Sequence, residues 1–210
     1  PAALADAYIE GRFVNLTSGT VYSSFDRGRC HSNEKIEAGE RLYVGMDFNV
    51  GKMAAVIYVR RGESLHAVTE IVDAYDTPMV IETLKSRYPD HAICVYPDAS
   101  GTSRKTVNAS QSDIALLQQA GFSVRANKKN PAVKDRIISA NTGFEQGYIF
   151  VNSKGCPEFT RCLEQQAYDK NGEPDKTSGH DHLNDAGTYP IAYEMPVKKP
   201  VSDVSIKFAI

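Results

Sequence analysis

The chain has 210 residues, of which 41% are hydrophobic and 24% charged, and its formal net charge is −2. This composition is ordinary for a soluble globular domain, and the length allows one sizeable core with a small appendage. No apolar run approaches the roughly 18 residues of a membrane-spanning helix, and the first residues do not form a signal peptide. Because residue 1 is Pro rather than Met, we expect an excised fragment or a processed chain.

The cysteines indicate neither a disulfide framework nor a metal site. There are four of them, without any Cys-x-x-Cys spacing: Cys30, Cys94, Cys156 and Cys162. A zinc site built from the last two with His180 and His182 would match none of the usual structural zinc patterns. A reducing, cytosolic setting fits this usage best.

The first forty residues carry mixed signals and are expected to lead into the main domain. Residues 2–10 predict a helix, and residues 12–15 and 20–25 predict two short strands that pair across Ser18-Gly19. Residues 31–40 are polar and predict a loop.

Three strands are predicted next, over residues 42–48, 53–60 and 64–72. Their connectors are short, which predicts an antiparallel meander. A helix is expected from Thr77 to about residue 87, with Thr77 as N-cap and Pro78 at the first helical position. Residues 93–96 predict a short, buried strand.

Helices and short strands alternate in the second half. Helices are predicted over residues 112–120, 132–146, 157–168 and 181–193, and strands over residues 122–126 and 148–151. Gly121 and Gly147 favour helix ends, and Pro190 is expected to bend or end the last helix. Residues 169–179 form a polar loop. This order of elements predicts an α/β domain of the ribonuclease H-like fold, a central mixed sheet whose first three strands are antiparallel, flanked by helices.

Aspartates stand at the ends of two predicted strands and at the start of the last helix. Asp47 ends the first strand and Asp98 the fourth, which lie side by side in this fold. Either of them alone would suit the start of a turn. Asp181 and Asp185 are one helical turn apart, so their side chains share a face. Asp185 lies among apolar residues and therefore needs a counter-charge.

Carboxylates that converge in this way repel one another, and divalent ions relieve the repulsion. Two ions about 3.5–4 Å apart are the arrangement that hydrolyses phosphodiesters in two-metal sites. Oxygen-only ligation favours Mg²⁺ or Mn²⁺ over zinc. His182 lies beside the acids and is a further candidate for the site, although a lone histidine is more often a structural hydrogen-bonding residue.

Basic and small polar residues near the acids predict contacts with DNA, in spite of the low net charge. The candidates are Lys52, Ser100, Arg104, Lys105, Lys128, Lys129, Lys134 and Arg136. The last four belong to a positive stretch across a strand-to-helix loop, for which a solvated charged surface is the alternative interpretation. Contacts of this kind go to phosphates and carry no sequence information.

Three segments resemble the acidic motifs in the nuclease domain of large terminase subunits from tailed bacteriophages. They are Gly-Met-Asp47-Phe-Asn, Tyr-Pro-Asp98-Ala-Ser and Asp181-His182-Leu-Asn-Asp185-Ala-Gly-Thr-Tyr. Two earlier segments, Gly11-Arg-Phe-Val and Val21-Tyr-Ser-Ser-Phe-Asp26-Arg, resemble the connection from the ATPase motor to that domain. The chain has no Gly-x-x-x-x-Gly-Lys-Ser/Thr motif of a motor. The resemblance implies a lead-in over residues 1–40, a nuclease domain over 41–195 and a tail over 196–210.

The resemblance further implies a metal-dependent endonuclease that cuts concatemeric viral double-stranded DNA during packaging, with little sequence preference. Asp47 and Asp98 would be metal ligands, and the third acid would be Asp185 or Asp181. Some family members carry a His three residues before the last acid, where His182 stands here. Implied partners are the ATPase domain, the small terminase subunit and the portal ring, in the host cytoplasm. The loop 169–179 is a candidate gate, and the tail a candidate portal contact.

Three other interpretations remain at this stage. A Holliday-junction resolvase or transposase-like nuclease has the same fold, and a resolvase would dimerise and prefer four-way junctions. A non-catalytic docking module would keep a degenerate metal site. An ATPase of the sugar-kinase type needs a duplicated domain and Gly-rich phosphate loops, neither of which the sequence shows.

Overall fold

A computed structural model describes residues 19–48, 51–99 and 112–196. The strands are β1 (Leu42–Asp47), β2 (Met53–Arg61), β3 (Ser64–Ala74), β4 (Ile93–Pro97), β5 (Ser123–Val124) and β6 (Ile149–Val151). The helices in this part of the chain are α1 (Thr77–Arg87), α2 (Asp113–Gln119), α3 (Val133–Gln146), α4 (Pro157–Gln165) and α5 (Asp181–Glu194). None of these helices is long and apolar enough to cross a membrane.

The six strands form one mixed sheet in the order β5-β4-β1-β2-β3-β6. Strands β1, β2 and β3 are antiparallel neighbours, joined by the short connectors that predicted a meander. Strand β4 lies parallel to β1 on its other side, with Met46 opposite Pro97. The predicted architecture is confirmed, and it brings the ends of β1 and β4 together.

Both faces of the sheet are buried, because helices cover each of them. Alternate residues of β2 belong to different clusters, since side chains along a strand point to opposite faces. Val56 and Tyr58 pack with α3, α4 and α5. Ile57 and Val59 pack with α1 and α2. Seven consecutive residues of β2 are therefore buried although its neighbours are antiparallel.

Helix α5 crosses the sheet in direct contact with β1, at a glycine. A Cβ atom on Gly45 would lie 1.9 Å from the carbonyl oxygen of Ala186 and 2.6 Å from Cδ of Pro190. Proline has no N–H to donate to the carbonyl four residues earlier, which here is that of Ala186. The absent side chain of Gly45 thus leaves room for the Ala186 carbonyl, which lacks its regular helical donor. The sequence-based expectation of a close approach at a strand glycine is confirmed here.

The last turn of α5 is fixed to the sheet by Glu194. Its carboxylate accepts hydrogen bonds from Arg60 at 2.6 Å, and from Tyr96 and Arg125 at 2.7 Å each. These three donors come from β2, from β4 and from the residue after β5. The helix therefore has a fixed position at its C-terminal end as well as at Gly45.

Some local predictions are wrong. Residues 20–25 form an isolated bridge at Thr20 followed by turns, not a strand. The N-cap of α1 is Asp76, whose carboxylate accepts from the N–H of Met79 at 3.0 Å, so Thr77 is the first helical residue. Helix α4 ends at Gln165, before the predicted end. Helix α5, predicted over residues 181–193, is confirmed at Asp181–Glu194, and of the two alternatives expected at Pro190 only an end of the helix there is wrong.

Several predictions fall outside the described residues. They are the helix over residues 2–10, the strand over 12–15, and all but the first residue of the tail over 196–210.

We expect Gly45→Ala to destabilise the protein by about 1–3 kcal/mol, because the added methyl group meets backbone that cannot move without shifting α5. The free energy of unfolding in urea measures this effect. The matched control is Gly28→Ala, where the new Cβ would meet only a side-chain oxygen of Asp26 at 3.3 Å. Equal stability of the two variants would contradict the close contact at Gly45.

Candidate metal centre

Strand alternation places Asp47 and Asp98 on the face of the sheet that α5 covers. Asp47 is two residues after Gly45, so both lie on the same side of β1. In β4, Tyr96 contacts Tyr193 of α5, and Asp98 follows it by two residues. The N–H of Asp98 donates to the carbonyl of Met46 at 3.0 Å, so the two strand ends are held together.

The first turn of α5 brings His182 and Asp181 to Asp47. Nδ1 of His182 lies 3.1 Å from Oδ2 of Asp47, within hydrogen-bond distance. Its other ring nitrogen, Nε2, lies 3.9 Å from Oδ1 of Asp181. Asp47 and Asp181 are each 7% exposed, whereas His182 is partly exposed. The imidazole therefore stands between two largely buried carboxylates.

Asp185 is paired with a buried arginine from α3. Nη1 of Arg136 donates to Oδ1 of Asp185 at 2.9 Å and to Oγ1 of Thr188 at 3.1 Å. The guanidinium carbon lies 4.6 Å from the centre of the Tyr189 ring, in a cation–π contact. Arg136 is only 3% exposed. Asp185 itself is partly exposed, so one end of this ion pair reaches solvent.

Asp98 is bound by the loop that precedes α3. Nδ2 of Asn130 donates to Oδ1 of Asp98 at 2.7 Å. Oδ1 of the same amide accepts from the N–H of Ala99, also at 2.7 Å. One asparagine side chain thus holds the carboxylate and the backbone that follows it.

The acids lie close enough to affect one another's protonation. Burial raises the pKa of Asp47 above its ordinary value, and the negative charges of Asp185 and Asp98 raise it further, while His182 opposes the shift. The hydrogen bond to Asp47 raises the pKa of His182. These directions are those expected of carboxylates that repel each other beside a histidine that can be protonated.

The donor chemistry fits a divalent cation with few direct protein ligands. Within residues 19–48, 51–99 and 112–196, no three His, Cys, Asp or Glu side chains stand close enough together to hold an ion among them. Mg²⁺ needs less, because it usually keeps several waters and binds through one or two carboxylates. Oδ1 of Asp181 is buried and has no hydrogen-bond partner among the described residues, which is costly unless a ligand or water satisfies it.

The predicted DNA contacts divide into three groups. Lys52, Lys128, Lys129 and Lys134 are exposed. Ser100, Arg104 and Lys105 lie outside the described residues. The prediction that Arg136 contacts DNA is wrong. Its side chain is buried against Asp185 and Tyr189, so it does not present a charge to DNA.

Sequence reasoning missed Asn130 and misinterpreted Arg136. The helical period carried a signal for Arg136, because it shares a face of α3 with the buried residues Ala140, Gly143 and Phe144. Asn130 gave no comparable signal. It stands in an exposed loop, and only the folded structure brings it to Asp98.

A family model described as the terminase RNaseH-like domain matches residues 44–194. No curated protein sequence matches this chain significantly. Among solved structures, the large terminase of the thermophilic bacteriophage D6E is similar at 24% identity with a TM-score of 0.66, over 89% of this chain and 47% of that one. This chain thus spans about half the length of that relative.

Two nuclease domains are similar at lower identity. The large terminase nuclease domain of bacteriophage SPP1, solved with bound Mn, is 20% identical with a TM-score of 0.51, over 74% of this chain and 87% of that one. The large terminase nuclease of the thermophilic phage G20c, solved with bound magnesium, is 13% identical with a TM-score of 0.55, over 84% and 98% of the two chains. At these identities the likeness concerns the fold.

We expect Asp47→Asn to raise the melting temperature of the metal-free protein at pH 7 by roughly 2–4 °C, as about 1 kcal/mol does in a domain of this size. The folded state binds the Asp47 proton more tightly than the unfolded state does. The free energy of unfolding therefore falls as the pH rises from 3.8 through the higher pKa of Asp47 in the folded protein. An asparagine at this position has no proton to lose, so the variant does not undergo this decrease. Melting in EDTA between pH 4 and 8 tests this. Asp90→Asn, at an exposed position, should change nothing.

Proposed function

This chain belongs to the terminase RNaseH-like domain family, and from that premise we propose that it is the nuclease part of a bacteriophage large terminase. Its activity is metal-dependent endonucleolytic cleavage of double-stranded DNA, with little sequence preference. In the complete terminase this activity cuts concatemeric viral DNA during genome packaging.

The convergence of Asp47, Asp98 and Asp185 at one end of the sheet supports a nuclease most directly. They come from β1, from the residue after β4 and from α5. The negative charges of Asp98 and Asp185 both raise the pKa of Asp47. Carboxylates concentrated in this way destabilise a fold unless they bind something positive. A cation-binding site explains why the chain keeps them.

Mg²⁺ or Mn²⁺ is the cofactor that these oxygen donors favour, in a site of two ions. Bound ions would lower the pKa of an attacking water and stabilise negative charge on the phosphate and on the leaving oxygen. Asp47, Asp98 and Asp185 are the proposed ligands. Asp185 is preferred to Asp181 as the third acid, because its charge raises the pKa of Asp47 and its side chain is more exposed.

Asp181 and His182 are proposed as supporting members of the site. His182 orients the carboxylate of Asp47 through the contact of 3.1 Å, and this hydrogen bond raises the pKa of the imidazole. Asp181 lies on the other side of the imidazole, where its charge favours the protonated ring. A histidine in this position can also hold a proton close to the phosphate.

The complete protein and its partners are part of the same proposal. An ATPase domain is proposed to present DNA to this site, since the D6E large terminase, of which this chain spans about half, was solved in complex with ATP-gamma-S. The small terminase subunit and the portal ring are proposed partners in the host cytoplasm. The loop over residues 169–179 is a proposed gate.

We expect the chain to nick and linearise supercoiled plasmid with Mn²⁺ or Mg²⁺, and to lose this activity in EDTA. Asp47→Ala and Asp185→Ala should each reduce the cleavage rate by about 100-fold or more, since even residues that only orient metal ligands cost 10–100-fold. Asp90→Ala is the matched control. No cleavage with any metal by a folded chain would favour a docking module, and cleavage that survives both substitutions would mean that the site is wrongly assigned.

Lys128 and Lys129 are the lysines that we propose as contacts to DNA phosphates, since they are exposed on the loop that carries Asn130. For Lys128→Ala/Lys129→Ala we expect weaker binding to any duplex, and a salt dependence of log K lower by about 1.8, at roughly 0.9 for each lost contact. Fluorescence anisotropy over a range of NaCl concentrations measures both. Lys85→Ala/Arg87→Ala changes two exposed charges on α1, across the sheet, and should leave the slope unchanged.

A further inference from the structure

One short segment contacts two of the proposed ligands, which themselves come from different elements. Asn130 and Arg136 are six residues apart, in the loop before α3 and in its first turns. Asn130 donates to Asp98, beyond the end of β4, and Arg136 donates to Asp185, on α5. The segment from Asn130 to Arg136, called the brace below, therefore spans the site between β4 and α5.

We propose that Asn130 and Arg136 are positioning residues, which hold Asp98 and Asp185 in the orientation in which they accept a divalent cation. The proposal rests on the assignment of these acids as metal ligands. Neither residue touches the DNA or the cation, and each acts through the carboxylate that it contacts.

The contact of Arg136 has the geometry of an orienting group. Nη1 of Arg136 donates to Oδ1 of the Asp185 carboxylate at 2.9 Å and contacts the backbone carbonyl of the same residue at 3.5 Å. Within the described residues the carboxylate is thus held at one oxygen, and we assign the other to a ligand. The guanidinium is itself fixed by Thr188 and by the ring of Tyr189. These two residues lie on α5 in the turn after Asp185. Arg136 therefore ties the acid to its own helix and to α3 at once.

Stability alone does not explain a buried arginine at this position. Replacing a buried ion pair by packed apolar side chains is often neutral or stabilising, because desolvation of the charges offsets their attraction. Here Nε of Arg136 is also buried without a hydrogen-bond partner among the described residues, which adds to the cost. A role in fixing the orientation of the Asp185 carboxylate explains why an arginine stands at position 136.

The contact of Asn130 requires an amide. Its NH₂ group donates to Asp98 while its carbonyl oxygen accepts from the N–H of Ala99, so both halves of the side chain are used. An aspartate at this position would repel Asp98, and an apolar side chain would make neither bond. Because Asn130 is exposed, its replacement can change the orientation of Asp98 without disturbing the core.

The test measures the affinity of the whole chain for Mn²⁺ by isothermal titration calorimetry, without DNA. We expect Asn130→Leu and Arg136→Lys each to weaken Mn²⁺ binding by about 10–100-fold, the usual effect of losing a residue that orients a metal ligand. Arg136→Met removes a positive charge and should still weaken binding. If the arginine were only a counter-charge, Arg136→Met would instead strengthen binding, and Arg136→Lys would leave it unchanged.

The controls separate positioning from folding. Asn127→Ala, at an exposed position of the same loop, and Arg27→Lys, in the arginine–carboxylate pair with Glu164, should bind Mn²⁺ as the original chain does. The melting temperature of Asn130→Leu in EDTA should be unchanged. In an Asp185→Asn background, Arg136→Lys should cause no further loss, because the arginine acts through that carboxylate.

The outcomes distinguish this inference from the proposed function. If the original chain does not bind Mn²⁺, or binds it equally well after Asp185→Ala, the proposed metal site is wrong. If Asp185→Ala abolishes binding while Asn130→Leu and Arg136→Lys bind with the original affinity, the metal site stands and the brace does not position it. An Arg136→Lys protein that fails to fold leaves the decision to Asn130→Leu.

Discussion

The contact between Gly45 and the Ala186 carbonyl is the constraint on which the site depends. Two acids reach the site from strand ends, where the sheet fixes them, but Asp181 and Asp185 reach it only if α5 lies directly on β1. Any side chain at position 45 would separate the helix from the strand. Pro190 contributes to the same contact, because its ring packs there and its missing N–H leaves the carbonyl of Ala186 without its helical donor. One residue further along the helix, a Cβ on Gly187 would lie 2.3 Å from the ring of Phe159.

Three different kinds of side chain make hydrogen bonds to the carboxylates of the site. His182 stands against Asp47, an amide against Asp98 and a guanidinium against Asp185. Each neighbour reaches its carboxylate from an element other than the one that carries it. The acids are thus kept apart and oriented although burial and mutual repulsion oppose their charge. This arrangement is expensive in free energy of folding, as sites that serve binding rather than stability commonly are.

The antiparallel meander could be predicted from local pattern, and the place of β4 beside β1 from the ribonuclease H-like order of elements; the edge positions of β5 and β6 were not predicted. Short connectors specify a meander, alternation specifies the face on which Asp47 stands, and a four-residue spacing specifies that Asp181 and Asp185 share a side of a helix. The environment of each acid could not be predicted in this way. Asn130 meets Asp98 across 32 residues of sequence and Arg136 meets Asp185 across 49, and such contacts depend on how α3 packs. The continuation of α5 through Pro190 likewise depends on tertiary packing, since the proline ring lies against Gly45.

The length of helix α5 also fixes the distance and the rotation between the acids at its start and Glu194 at its end. Its 14 residues extend over about 20 Å at 1.5 Å for each residue. Since each residue also turns the helix by about 100°, one inserted or deleted residue would rotate Asp185 away from Asp47 while Glu194 stayed bound to Arg60 and Tyr96. We therefore expect length variation in this family in loops such as residues 169–179 and not between Asp185 and Glu194. The same geometry leads us to expect that relatives with little residue identity keep the spacing from Asp185 to the glutamate that anchors the helix end.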